Sequence, residues 1–320
     1  MRTRTALYLL LAIAVAIPLV VGCAGTAAPE KYPTKPVTYL ITFDPGGQSD
    51  REARRQQPHL ERILGQKVTI DYKVGGGGAV GWSELARAKP DGYVFAGFNI
   101  PHIILQPLQQ ESGYKTEQIV PVVIFQATPL GLAVLNSSPY KTLNDYINAA
   151  KAKPGNVSVG GSGTLSGPQF AVQRLEKLAG IKLNYVPFTG AAPSVTAFLG
   201  GHVDALMANS DDLVKYKDQI RILGFADEKR FPQLPDAPTF KEQNLDIVER
   251  VDRGVAVPPG TPASVIKTLE SAFLEIAKNP DVQKEMSSQG FVPLAMGAEE
   301  SKAYVTKMTD VYKKVLAETK

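Results

Sequence analysis

Short β-branched and aromatic runs alternate along this chain with stretches whose apolar residues recur at helical spacing. Val37 to Phe43 is a strand run that stops at Asp44-Pro45-Gly46-Gly47-Gln48-Ser49-Asp50, a glycine turn with Ser and Asp suited to capping a helix. A helix then extends to Gly65, with Pro58 as a place to kink. Val68 to Val74 predicts a second strand, the glycines at 75–78 a turn, Trp82, Leu85 and Ala86 a helix, and Tyr93 to Phe98 a third strand. Strand, glycine turn, helix and strand in that order predict a mostly parallel sheet with helices on its faces.

The rhythm restarts in the middle of the chain. Leu130 to Leu135 predicts a strand, Leu143 to Ala152 a helix, and Val157 to Val159 a short strand ending at Gly160-Gly161-Ser162-Gly163-Thr164. Phe170, Leu175 and Leu178 mark a helix stopped by Gly180. Tyr185 to Phe188, Ala205 to Ala208 and Ile222 to Phe225 are further strand runs, with a helix near Pro193 to Leu199. After a Pro-rich connection at 231–240, a strand falls within Val248 to Val257. Ile266, Leu269, Phe273 and Ile276 then share one face of a helix that Thr261 caps and Pro262 opens. A final helix spans Glu300 to Leu316. Two α/β units of this kind predict two lobes with a cleft between them.

The N-terminus follows a different logic. Arg2 and Arg4 precede an apolar run, Ala6 to Ile17, that Pro18 breaks. A membrane-spanning helix needs about 20 apolar residues, so residues 1–22 predict an export signal. Val20-Val21-Gly22-Cys23 has the form of a bacterial lipoprotein cleavage box, and Cys23 is the only cysteine in the chain. Lipid on Cys23 would tether the protein outside the cytoplasmic membrane, with 23–34 as a flexible tether.

Composition narrows the chemistry. A net charge of +4 without a dense basic stripe argues against nucleic-acid binding. A single Cys excludes an intrachain disulfide and a Cys-based zinc site, and His59, His102 and His202 lack metal-ligand spacing, so no metal or cofactor is expected. Gly76-x-Gly78-x-x-Gly81 formally matches the dinucleotide fingerprint, but Phe98-Asn99-Ile100-Pro101-His102 lacks the acid that the ribose requires.

Glycine turns at strand ends suit anions. The helix start beyond such a turn offers unpaired N–H groups and about half a positive charge, and glycine lets the backbone approach the ligand. Gly46, Gly47, Gln48 and Ser49 form one such turn, and Gly161, Ser162, Gly163 and Thr164 a second. Facing each other across a cleft, they would hold a carboxylate from both sides. Asn99, Gly190 and Asn209 complete the candidate set. Arg253 lies in Val251-Asp252-Arg253-Gly254-Val255, where it would clamp a carboxylate bidentately or form a structural pair with Asp252 or another acid. Asp211-Asp212 reads as a solvated, helix-capping pair and His102 as a structural histidine. A hydrolase using Ser49, Ser162 or Ser166 is the rival reading, although no Gly-x-Ser-x-Gly elbow occurs.

From Lys35 onward the chain resembles the extracytoplasmic solute receptors of tripartite tricarboxylate transporters, the Bug-type receptors. The resemblance rests on Pro45-Gly46-Gly47-Gln48-Ser49-Asp50, Gly75-Gly76-Gly77-Gly78-Ala79-Val80-Gly81, Lys89-Pro90-Asp91-Gly92-Tyr93 and Lys151-Ala152-Lys153-Pro154-Gly155. Tyr185-Val186-Pro187-Phe188-Thr189-Gly190, Leu199-Gly200-Gly201-His202-Val203-Asp204 and Pro258-Pro259-Gly260-Thr261-Pro262 continue it in order. It implies a two-lobed periplasmic-binding-protein fold of type II that closes on a di- or tricarboxylate gripped by the two turns. It also implies delivery to two membrane subunits of a transporter, and no enzymatic activity. Gln48 stands where relatives often have a third Gly, placing a side chain near the ligand entrance, and Gln169 where they have His. Arg253 stands where many relatives are aromatic or polar, which favours a second anionic group on the ligand. The expected organisation is a signal at 1–22, a tether at 23–34, one lobe from 35–129 plus 246–320, and a second from 130–245. A lipid-anchored monomer on the outer side of a membrane is expected; a sensor presenting its ligand to a signalling protein is the remaining alternative.

Overall fold

The computed structural model describes residues 32–319. Its first part runs β1 (Val37–Ile41), α1 (Gln48–Leu64), β2 (Val68–Tyr72), α2 (Ala79–Arg87), β3 (Val94–Ile100) and α3 (His102–Gln109). The middle part runs β4 (Val120–Leu135), α4 (Leu143–Ala152), β5 (Ser158–Ser162), α5 (Gly167–Ala179), β6 (Asn184–Phe188), α6 (Ala191–Leu199), β7 (Ala205–Asn209), α7 (Ser210–Lys215) and β8 (Ile220–Phe225). The last part runs β9 (Arg250–Val257), α8 (Ala263–Ala277), α9 (Pro280–Ser288), β10 (Val292–Met296) and α10 (Ala298–Thr319).

The strands form one curled sheet in the order β2-β1-β3-β9-β4-β7-β5-β6, with β8 and β10 also paired to β4. β4 joins the halves of the sheet. Val120 to Pro129 pairs with β9, and Leu130 to Leu135 with β7 and β8. The outer pairs β1–β2, β1–β3, β5–β6 and β5–β7 are parallel, joined through helices. All pairings of β4 and β9 are antiparallel, because these are the strands that return between the halves. The sheet is therefore mixed rather than mostly parallel.

Helices cover both faces. In the half built on β1 to β3, one face packs Tyr39, Phe95, Leu269 and Phe273, and the other packs Trp82, Phe98, Ile103 and Tyr312. Each such buried side chain is worth about 1.5–3 kcal/mol of transfer free energy. The second half encloses Leu132, Tyr146, Leu175 and Phe240 on one face and Phe198, Leu206 and Phe225 on the other. Gly254 fixes the centre of the sheet, since a Cβ there would lie 2.2 Å from the Val123 carbonyl oxygen and 2.6 Å from the Phe98 ring. The backbone beside Arg253 is thereby held without slack.

Several boundaries differ from the sequence reading. β3 continues to Ile100 and β5 to Ser162, so Gly160 and Gly161 are strand rather than turn residues. A Cβ on Gly161 would meet the Tyr185 hydroxyl at 2.6 Å and Pro168 at 2.9 Å, so close packing selects glycine there. α1 starts after Gly47 with no side-chain cap, and Asp50 instead accepts from the Gly46 N–H at 2.7 Å. Thr261 donates to the Pro258 carbonyl rather than capping α8. α3, α7, α9, β10 and the first half of β4 were not foreseen. Pro107 within α3 and Pro121 and Pro129 within β4 hide the hydrophobic period; α9 did carry a signal, the Asn279 cap followed by Pro280.

Candidate functional site

The ends of β1, β3 and β5 and the starts of α1, α3 and α6 meet around a cavity lined by Phe43, Gly47, Gln48, Ser49, Asn99, His102, Ser162, Ala191, Val251 and Arg253. The space open to the centre of a water molecule is about 10 Å³, room for about one water. At the start of α1, the N–H groups of Gln48 and Ser49 precede the first intrahelical hydrogen bonds. The Gly46 N–H is committed to Asp50, which also accepts from Arg54 Nε at 2.8 Å and the Tyr72 hydroxyl at 2.5 Å.

Arg253 forms the floor. It is 4% exposed and sits on β9 opposite Asn99 of β3 and Gln126 of β4. Its Nη1 donates to Thr128 Oγ1 at 2.5 Å and its Nη2 reaches Asn209 Oδ1 at 3.4 Å. Its Nε has no hydrogen-bond partner among the described residues. Burial lowers the guanidinium to about 10, against the pull of Asp211 and Asp212, so it remains a cation at neutral pH. The expected alternative, a pair with Asp252, does not form. Asp252 pairs with Arg250 Nε at 2.9 Å and accepts from the Tyr304 hydroxyl at 2.8 Å.

His102 lies beside this cation, buried and edge-on to Phe43, with ring centroids 5.8 Å apart, and to Trp82 at 6.4 Å. Burial, aided by Arg253, pushes its imidazole down to about 3, so it is neutral. Its Nδ1 has no hydrogen-bond partner among the described residues, so it is not the satisfied structural histidine expected from the sequence. No Ser–His hydrogen bond forms there, and Ser166 is occupied with the Gly163 carbonyl and the Gln169 N–H.

Two further expectations are corrected. Gln48 is buried rather than at an entrance, and its Nε2 donates to Asp211 Oδ1 at 3.2 Å and Asp212 Oδ2 at 2.6 Å. Asp211 and Asp212 are accordingly not a solvated pair: both are buried, and Arg51 Nη2 bonds to Asp211 and to Asp212 Oδ1, the latter at 3.2 Å. This network ties α1 to α7.

Of the second turn, only Ser162 lines the cavity. Gly163, at φ +77°, donates to the Phe188 carbonyl at 2.7 Å and stacks its backbone on Gly77, whose own added Cβ would meet the Thr164 carbonyl at 3.2 Å. Gly161, Gly163 and Thr164 therefore shape the wall behind Ser162. Gly190 packs on Asp44, and Asn209 acts on the site through Arg253 and Thr128, accepting from the Thr128 hydroxyl at 3.0 Å. Cys23 lies outside the described residues. Sequence reasoning missed Phe43, Ala191 and Val251, apolar lining with no polar signal, and Thr128, whose role depends on the β4–β9 register.

A curled, mixed α/β sheet flanked by helices, with a small cavity at the strand ends, is the architecture of a solute-binding protein. The sequence profile described as "Tripartite tricarboxylate transporter family receptor" matches residues 52–320, and the chain belongs to that family. It is similar to BugT of Bordetella pertussis, at 27% identity covering 95% of this chain and 96% of the relative. A Cupriavidus necator protein described only as lying in a gbd 5' region is 28% identical over 86% of this chain and 84% of the relative. Among solved structures, one titled a periplasmic transporter has a TM-score of 0.84 at 28% identity, covering 89% of this chain and 97% of the other. An R. palustris protein solved with adipate has a TM-score of 0.84 at 25% identity, covering 90% and 98%. The chain is a solute-binding receptor and not an enzyme, which retires the hydrolase reading.

Proposed function

We propose that the protein captures a small di- or tricarboxylate between its lobes and delivers it to the two membrane subunits of a tripartite transporter. The observation that carries this is the cavity itself. The start of α1 and Ser162 both line it and offer donors, and Arg253 lines it with a buried Nε that has no partner among the described residues. One carboxylate is taken by the backbone N–H groups of Gln48 and Ser49 together with the Ser162 hydroxyl. The second meets the Arg253 guanidinium at Nη2, a charged donor that suits a carboxylate. Room for about one water is too little for an organic acid, so capture involves separation and closure of the lobes. We assign 35–129 and 246–320 to one lobe and 130–245 to the other, which puts the switch near Pro129 of β4, where its partners change from β9 to β7. A thermal-shift screen of organic acids tests the reading, because bound ligand raises the unfolding midpoint by mass action. Di- or tricarboxylates should raise it and monocarboxylates of the same length much less; a screen in which no acid does so overturns it.

The protein is further proposed to sit outside the cytoplasm, held by lipid on Cys23 after removal of residues 1–22. Support comes from the apolar run ending in Val20-Val21-Gly22-Cys23. Expressed in a bacterial host, the wild type should fractionate with membranes and Cys23→Ser should be released. Equal release of both would remove the anchor from the account.

A further inference from the structure

Two neighbouring residues that line the cavity, Arg253 and His102, each carry a buried polar atom, Nε and Nδ1, without a hydrogen-bond partner among the described residues. Buried polar groups are nearly always hydrogen-bonded, so each exception calls for an explanation, and at a binding cavity a ligand can supply it. Arg253 Nε is a donor and accepts nothing. His102 is different. Its ring is wedged against Phe43 and Trp82, where a charged imidazole would lose its hydration, and Arg253 repels an added proton. A neutral imidazole presents Nδ1 either as a lone pair or as an N–H.

One small group satisfies both atoms whichever tautomer is present. A hydroxyl oxygen accepts from Arg253 Nε and either donates its proton to the His102 lone pair or accepts a second bond from the His102 N–H. A carboxylate oxygen does so only when Nδ1 carries the proton, and a methylene leaves both atoms unpaired. We infer that His102 is a specificity-determining residue that reads a hydroxyl carried beside the carboxylate held by Arg253, so that the receptor selects hydroxy acids. This rests on the carboxylate reading above and deepens it.

A site that hydrogen-bonds a ligand hydroxyl discriminates strongly against the analogue lacking it, because its own polar groups are then left bare. The probes are malate and succinate, four-carbon dicarboxylates that differ only by a 2-hydroxyl. Titration calorimetry of wild type, His102→Leu and His102→Gln at one salt concentration gives the preference for each, with unfolding midpoints recorded for all three. The wild type should prefer malate by about ten- to hundredfold. His102→Leu should weaken malate more than succinate and bring the ratio to within about twofold, while His102→Gln, which keeps a polar group, should retain part of the preference. If His102→Leu does not fold, a reduced ratio in His102→Gln supports the inference and an unchanged ratio overturns it. Equal binding of the two acids by the wild type, or equal losses for both in the variants, overturns the role of His102 and leaves the carboxylate reading standing. Binding of neither acid, when no other organic acid binds, overturns both.

Discussion

Arg253→Ala should weaken binding of a dicarboxylate far more than binding of the matching monocarboxylate, by a differential of about 1.5–3 kcal/mol. The start of α1 supplies a fraction of a charge, enough for one carboxylate, and helix-terminus contacts contribute about 0.3–1 kcal/mol each. A second carboxylate brought into the cleft loses its hydration and needs a local cation to compensate. Arg253 is placed to be that cation: buried, held by Thr128 and Asn209, and with Nε unpartnered among the described residues. Lysine would supply the charge without the planar edge, so Arg253→Lys should recover only part of the loss. Unfolding midpoints belong beside the titrations, because removing Arg253 also takes a positive charge away from Asp211, Asp212 and Glu52. Equal losses for both acids would place Arg253 on the first carboxylate, and no loss would make it purely structural.

Stability should rise as the pH falls from 8 to 6.5. Burial pushes the carboxyls of Glu52 and Glu249 up to about 7, against the pull of Arg55 on the first and Arg174 on the second. Asp212 is raised as well, by burial and then by Asp211. In the unfolded chain such groups titrate at about 4. Between those values the native state therefore binds more protons than the unfolded state, and stability falls as pH rises through the native value. Each group contributes about 0.7 kcal/mol over this window, about 1–2 kcal/mol together, or a few degrees in the unfolding midpoint. His102 works in the opposite direction. Its native value of about 3 lies below the unfolded 6.5, so it begins to cost stability only as pH falls below about 6.5. Midpoints of wild type and Glu249→Gln across pH 6.5 to 8 check this, with a shallower slope expected in the variant. A flat or rising midpoint toward pH 8 would mean that these carboxylates are already ionised in the native state.

Local features were the readable ones. Leu143 to Ala152 was legible as a helix to the residue, and Gly65 and Gly180 as helix stops, because capping and periodicity are nearest-neighbour effects. Arg253 stood out as a charge within an apolar strand. The contacts of Gln48 were not readable: its partners lie 163 and 164 positions away, and only the packing of α7 on α1 brings them together. Gly160 and Gly161 misled because glycine signals either a turn or a close approach, and the Tyr185 and Pro168 side chains that decide between them come from neighbouring elements. His102 was noticed in the sequence but read as structural, since its missing partner is a property of the packed site.

The central claim is that this receptor holds a ligand by two carboxylates and changes no bond in it. Titration calorimetry of the purified protein with a di- or tricarboxylate, followed by recovery of the acid, tests this most directly. Saturable binding to one site is expected, with the acid recovered unchanged and an affinity that drops when one carboxylate is replaced by its neutral amide. Equal affinity for the acid and its amide, or recovery of a chemically altered acid, would contradict it.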